Sequence, residues 1–153
     1  EDVPTRRSLE LWAATRPDWD AQEAARLMEV FELPLKTRPS RLSLGQRSAL
    51  DAVFALACHC PVLLLDEIHL GMDVVVRRRF WDELLALYLR ERPTIVVSSH
   101  EIEDLLEDVV VLHRGRLVAA GGADELRAAH SSPGQGLASL TDALINLTEG
   151  ELS

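Results

Sequence analysis

Two cysteines, Cys58 and Cys60, are too few for a disulfide framework, and the chain suits a reducing interior. With His59 between them and His69 nearby, they fit none of the usual zinc-site spacings, so a helix end with buried thiols is the expectation. No apolar run approaches the roughly 20 residues needed to cross a bilayer, and no signal peptide is visible. Aromatic residues are sparse at 5%, and Trp12, Trp19 and Trp81 read as packing residues rather than base-stacking platforms. Positive charge is also short: 16 Lys and Arg stand against 25 Asp and Glu, a net charge of −9. That argues against a general nucleic-acid surface and leaves Arg77, Arg78 and Arg79 as a local basic patch. No internal repeat or low-complexity tract occurs. The 153 residues fit one domain, with a first residue, Glu1, that points to a processed product or a fragment.

The chain is organised around Pro61 to Asp73, PVLLLDEIHLGMD. Pro61 to Leu65 are all apolar and predict a strand buried on both faces. Asp66 and Glu67 follow at once. In an open parallel sheet, ligands bind beyond the carboxyl ends of the strands, which would put these acids at the lip of a site. The plainer alternative is that they cap the next turn.

Upstream, Glu1 to Arg7 reads as irregular, and Ser8 as the cap of a short helix over Leu9 to Thr15. Asp20 with Glu23 has the form of a capping box before a helix over Ala21 to Glu32. Pro34 and Pro39 make 33–40 a loop. Ser43 and Gly45 precede a helix over Gln46 to Cys58, with Leu50, Val53, Phe54 and Ala57 on one stripe. Small residues at a helix start leave backbone N–H groups open to an anion; plain capping by Ser43 is the other reading. Downstream, a helix is expected over Val74 to Arg92, its buried stripe being Val76, Phe80, Leu84, Leu87 and Tyr88. A second buried strand, Thr94 to Val97, leads into Ser98, Ser99 and His100. Then come a short acidic helix over 101–107, a strand over 109–112, a turn at Arg114-Gly115, a return strand over 117–120 and a helix over 123–130. Ser131 to Gly136 reads as a linker, and Leu140, Ala143, Leu144 and Leu147 as a last helix. The alternation of helices and apolar strands predicts α/β with a mostly parallel sheet, whose shared edge would gather Asp66, Glu67 and His100.

The ordered set RLSLGQR, PVLLLDE, GMD and VVSSH resembles the C-terminal part of the nucleotide-binding domain of ATP-binding-cassette (ABC) ATPases. Arg41 to Arg47 is similar to the signature motif, and Val62 to Glu67 to the Walker B strand. Gly71-Met72-Asp73 is similar to the D-loop, Ser98-Ser99-His100 to the switch-histidine loop, and VVVLHRGRLVAAGGADEL to the closing hairpin and helix. The RPDWD stretch, the signature and Ser139 to Glu149 resemble bacterial drug- and antibiotic-export ATPases. Three departures stand out. Leu44 replaces the first signature glycine. Ile68 and His69 stand where Pro and Thr or Ser are usual. No G-x-x-x-x-G-K-[ST] loop occurs in these residues, nor does the Q-loop glutamine.

The resemblance implies a P-loop-NTPase-like fold lacking its phosphate-cradling part. Residues 1–44 would form a helical subdomain, 45–130 the catalytic core and 131–153 a linker and C-terminal helix. It implies ATP as substrate with Mg²⁺ held by Asp66 through water. Glu67 would position or deprotonate the attacking water, and His100 would contact the γ-phosphate. Ser43, Gly45 and Gln46 would meet the ATP of a second nucleotide-binding domain, with Asp73 at the dimer seam. The expected setting is a peripheral subunit on the cytoplasmic face of the cell membrane, paired with separate transmembrane permease subunits and coupling hydrolysis to transport, with export expected. No nucleic-acid partner is expected. Without the phosphate-cradling loop, the chain alone is expected to be inactive. The alternatives are a soluble ABC ATPase acting on DNA or ribosomes, and a non-enzymatic remnant that only dimerises.

Overall fold

In the computed structural model, which describes residues 3–99, 107–129, 131 and 139, the acidic stretch ends a strand that pairs in parallel with another. The elements run α1 (Thr5–Thr15), α2 (Ala21–Val30), a 3-10 turn (Pro39–Arg41), α3 (Leu44–Leu56), β1 (Val62–Asp66), α4 (Val74–Glu91), β2 (Thr94–Ser98), β3 (Asp108–His113), β4 (Arg116–Gly122) and α5 (Ala123–Ala129). They fall into two compact units, Glu1–Ser98 and Ser99–Ser153. The first is α/β, with β1 and β2 parallel in the register Val62 to Thr94 through Asp66 to Ser98. The second carries the antiparallel hairpin β3–β4, turned at Arg114 and Gly115, both at positive φ. Residues 101–106 of the expected acidic helix over 101–107, residues 132–136 of the expected linker, and the expected last helix through Leu140, Ala143, Leu144 and Leu147 lie outside the described residues.

The core of the first unit collects one side of each element. Leu63 and Leu65 of β1 share one buried cluster with Leu27 of α2, Val53 of α3, and Phe80 and Leu84 of α4. The expected two-sided burial of β1 and β2 does not hold. Val62 and Val96 are 53% exposed and Leu64 75%, because the helices cover only one face of the pair. Trp12 stacks on Phe54 at 4.5 Å and gives its indole N–H to Cys58 Sγ, which is the packing role expected of it. Cys58 is buried, but Cys60 is exposed, not buried as expected.

Helix ends differ from expectation for local reasons. α1 begins three residues before Ser8, because the N–H and Oγ1 of buried Thr5 both donate to the Thr37 carbonyl. α2 stops at Val30: Glu32 turns left-handed (φ 54) and the Leu33 N–H closes on the Met28 carbonyl. Asp20 caps α2 as expected, accepting the N–H groups of Gln22 and Glu23 at 2.9 and 2.8 Å. The basic run on α4 is partly spent on structure, since Arg79 donates to the Val30 carbonyl and to Glu32 Oε1, both at 2.8 Å.

His59 ties three elements together. Its Nδ1 lies 2.9 Å from the Glu91 carboxylate at the end of α4, and its Nε2 lies 3.4 Å from Asp20 Oδ2 at the start of α2. The Glu91 hydrogen bond, aided by Asp20, raises the His59 pKa above its usual value. Asp20 is lowered, first by the Glu23 N–H and then by His59. Partial burial pushes Glu91 up, but its bonds to His59 and Arg90 outweigh that and leave it lowered. His59 therefore contributes its full stabilisation below its unfolded pKa of about 6.5 and loses it as pH rises through the higher folded value. The two carboxylates lose theirs as pH falls below about 4. Thermal melts should show stability declining as pH rises above about 6.5, and His59→Gln should flatten that decline; an unchanged profile would contradict this linkage.

Candidate functional site

The site starts where β1 ends. Asp66 is exposed, and parallel pairing sets it opposite Ser98 at the end of β2. The Ser98 hydroxyl donates to Asp66 Oδ1. The Glu67 N–H reaches both the Ser98 carbonyl at 3.1 Å and Ser98 Oγ at 3.2 Å. Glu67 adopts φ 46, the left-handed region that side chains other than glycine rarely occupy. Such strain persists only where the surroundings enforce it, and it concentrates at functional positions. His100 lies outside the described residues, so the structure joins Asp66 and Glu67 to Ser98 and goes no further toward the switch histidine.

The loop after Glu67 is held against α3. The Leu70 N–H closes on the Glu67 carbonyl at 2.9 Å, and Ser48 Oγ of α3 donates to the Leu70 carbonyl at 2.7 Å. His69 is buried with its ring 6.0 Å from Trp81, and Ile68 packs on the core. Ile68 and His69, one of the three departures from the family pattern, are thus absorbed as packing. Asp73 then caps α4, its Oδ1 accepting the N–H groups of Val75 and Val76 at 2.9 Å.

Ser43 forms a full capping box: its Oγ accepts the Gln46 N–H at 3.2 Å, and Gln46 Oε1 accepts the Ser43 N–H at 3.0 Å. The helix therefore starts at Leu44, two residues before the expected Gln46. The Gln46 N–H is satisfied within the chain rather than left open for an anion, because the box pairs two orphan donors reciprocally. Gly45 serves a further purpose. A Cβ there would lie 2.3 Å from the Gly71 carbonyl oxygen. Gly71, at φ 75, sits in turn under Leu44, whose Cγ and Cδ2 would be 2.7 Å from a Cβ on it. The signature and D-loop segments thus interlock through two glycines and one leucine.

Sequence reasoning named Ser98 only as part of the switch-histidine stretch, and missed its bond to Asp66 and this glycine contact. Ser98 carried a signal, a hydroxyl closing an otherwise apolar strand, but its partner depends on the register of β1 and β2. Among the described residues, no group of three or more His, Cys, Asp and Glu side chains could hold a metal ion by itself. Asp66 and Glu67 instead offer the one or two carboxylates that suit Mg²⁺ when phosphates and water complete its shell. The donor set fits a metal brought with a nucleotide.

No protein-family model matches the chain. It is 31% identical over 121 residues to the osmoprotectant import ATP-binding protein OsmV of Salmonella typhimurium, a match covering 72% of this chain and 32% of that protein. It is 34% identical over 117 residues to the sulfate/thiosulfate import ATP-binding protein CysA of Mesorhizobium japonicum, covering 73% and 34%. The chain spans about a third of the length of these relatives. The structure of an ABC transporter ATP-binding subunit superposes with a TM-score of 0.79 at 25% identity, over 97% of this chain and 63% of that one. An ATP-binding cassette in a dimeric post-hydrolysis state with ADP and Pi superposes with a TM-score of 0.59 at 24% identity, over 66% and 46%, a likeness of fold. Both relatives are named for import, so the expected export direction finds no support. In sequence and in its P-loop-NTPase fold, the chain belongs with the ATP-binding subunits of ABC transporters.

Proposed function

We propose that this chain supplies the signature, Walker B, D-loop and switch segments of an ABC ATPase that drives transport through separate transmembrane subunits. The observation that carries this reading is the cluster at the end of the parallel pair: Asp66, Glu67 and Ser98 joined by hydrogen bonds on one strand edge. Asp66 would hold Mg²⁺ through water, and the metal would supply charge neutralisation at the phosphates. Glu67 orients the attacking water and takes up its proton. His100 contacts the γ-phosphate and that water. Ser43, Gly45 and Gln46 face the ATP of a second nucleotide-binding domain, and Asp73 lies at the seam. The dimeric ADP- and Pi-bound neighbour supports pairing of this kind. No described helix is long and apolar enough to cross a membrane, and the subunit is placed in this proposal on the cytoplasmic face, against a permease. The relatives' names support import of a small solute.

The phosphate-cradling G-x-x-x-x-G-K-[ST] loop is not among these 153 residues, so the test uses a full-length ATPase that includes these residues and that loop. There, His100→Ala should lower steady-state hydrolysis by about a hundredfold, the scale of removing one donor to transition-state charge. An unchanged rate would remove His100 from the site. A full-length protein that pairs normally but never hydrolyses ATP would favour the non-enzymatic reading.

A further inference from the structure

We infer that Ser98 is a positioning residue that sets the Asp66 carboxylate toward the metal and couples it to Glu67; this rests on the ATPase reading above. The Ser98 hydroxyl has one proton, and it goes to Asp66 Oδ1. The strand ladder does not need that hydroxyl. The Ser98 carbonyl already accepts the Glu67 N–H at 3.1 Å, in line with the parallel register that ends at Asp66 and Ser98. What the side chain adds is a bond to Asp66 and a second acceptor for the Glu67 N–H, at 3.2 Å.

Asp66 is exposed and would otherwise turn freely about its side-chain bonds. With Oδ1 engaged, the carboxylate is oriented and Oδ2 remains for a metal-bound water. The same hydroxyl touches the N–H of a residue held in the left-handed region. The direction of the metal carboxylate and the backbone conformation that aims Glu67 thus share one side chain. Outer partners that orient a metal-binding group govern metal affinity in this way.

Ser98→Val and Ser98→Thr form the decisive pair. Both are β-branched and suit a strand end, and only Thr keeps a hydroxyl. In the full-length ATPase, Mn²⁺ bound in the presence of ATP is followed by electron paramagnetic resonance, with melting temperature measured alongside. Ser98→Val should raise the Mn²⁺ concentration at half-saturation by about tenfold, while Ser98→Thr stays near wild type. Equal Mn²⁺ binding in Val, Thr and wild type overturns the proposal, as does a loss shared by Val and Thr that follows their melting temperatures. Asp66→Asn separates the role of Ser98 from the metal role of Asp66. If Asp66→Asn loses Mn²⁺ and Ser98→Val does not, only the role of Ser98 fails. If Asp66→Asn binds Mn²⁺ normally, the metal assignment of Asp66 fails and the Ser98 proposal falls with it.

Discussion

Glu67→Gln in the full-length ATPase should lower hydrolysis roughly a hundredfold or more while leaving ATP binding intact. The substitution keeps the size and the backbone of the residue. It removes the group that takes a proton from water, and it leaves the Ser98 contacts to the backbone N–H in place. The signature surface and Asp66 also remain, so ATP should gather two subunits without being consumed, and a nucleotide-bound dimer should accumulate. Size-exclusion chromatography with ATP reads the dimer, and phosphate release reads the turnover. Wild-type turnover would remove Glu67 from the chemistry. Loss of both binding and turnover would mean that Glu67 serves the fold instead.

Gly45→Ala carries the largest expected structural effect. Its new Cβ would lie 2.3 Å from the Gly71 carbonyl oxygen, a backbone atom that cannot swing aside as a side chain would. Either α3 or the loop at 68–72 must move, and overpacking of this kind costs about 1–3 kcal/mol. The movement would travel in two directions. Leu44 covers Gly71 on one side, and Asp73 caps α4 two residues further on. A lower melting temperature together with reduced ATP-driven dimerisation is the expected result. Wild-type stability would show that the close approach is not maintained in solution. Ser48→Ala, which removes the bond to the Leu70 carbonyl on the same loop, tests whether the effect belongs to the loop or to Gly45 alone.

Most of this architecture was legible because each element carried an independent local signal. Asp20 before an apolar stripe gave the start of α2, and Arg114-Gly115 between two β-rich runs gave the hairpin turn. Phe80, Leu84 and Leu87 gave the buried side of α4. Tertiary partners set what was not legible. Nothing local to Thr5 announces that Thr37 will satisfy its N–H and hydroxyl. The uniformly apolar run Val62 to Leu65 has the composition of a strand covered on both faces, yet only Leu63 and Leu65 are covered here.

The site divides along the same line. Asp66 and Glu67 were visible as acids closing an apolar strand, and Ser43 as a helix cap. The bond from Ser98 to Asp66 depends on the registration of two strands 32 residues apart. The contact of Gly45 with Gly71 depends on how α3 lies against the loop after β1. Both are properties of packing, and both join motifs that the sequence displays only as separate segments.

Asp66 and Glu67 are proposed to form a metal-dependent ATP-hydrolysing edge at the end of β1. Phosphate release by the full-length ATPase, titrated with Mg²⁺ for the wild type and for Asp66→Asn, tests it most directly. Turnover should rise with Mg²⁺ in the wild type and stay near background in Asp66→Asn at every concentration. Equal, Mg²⁺-dependent turnover in both proteins would contradict it.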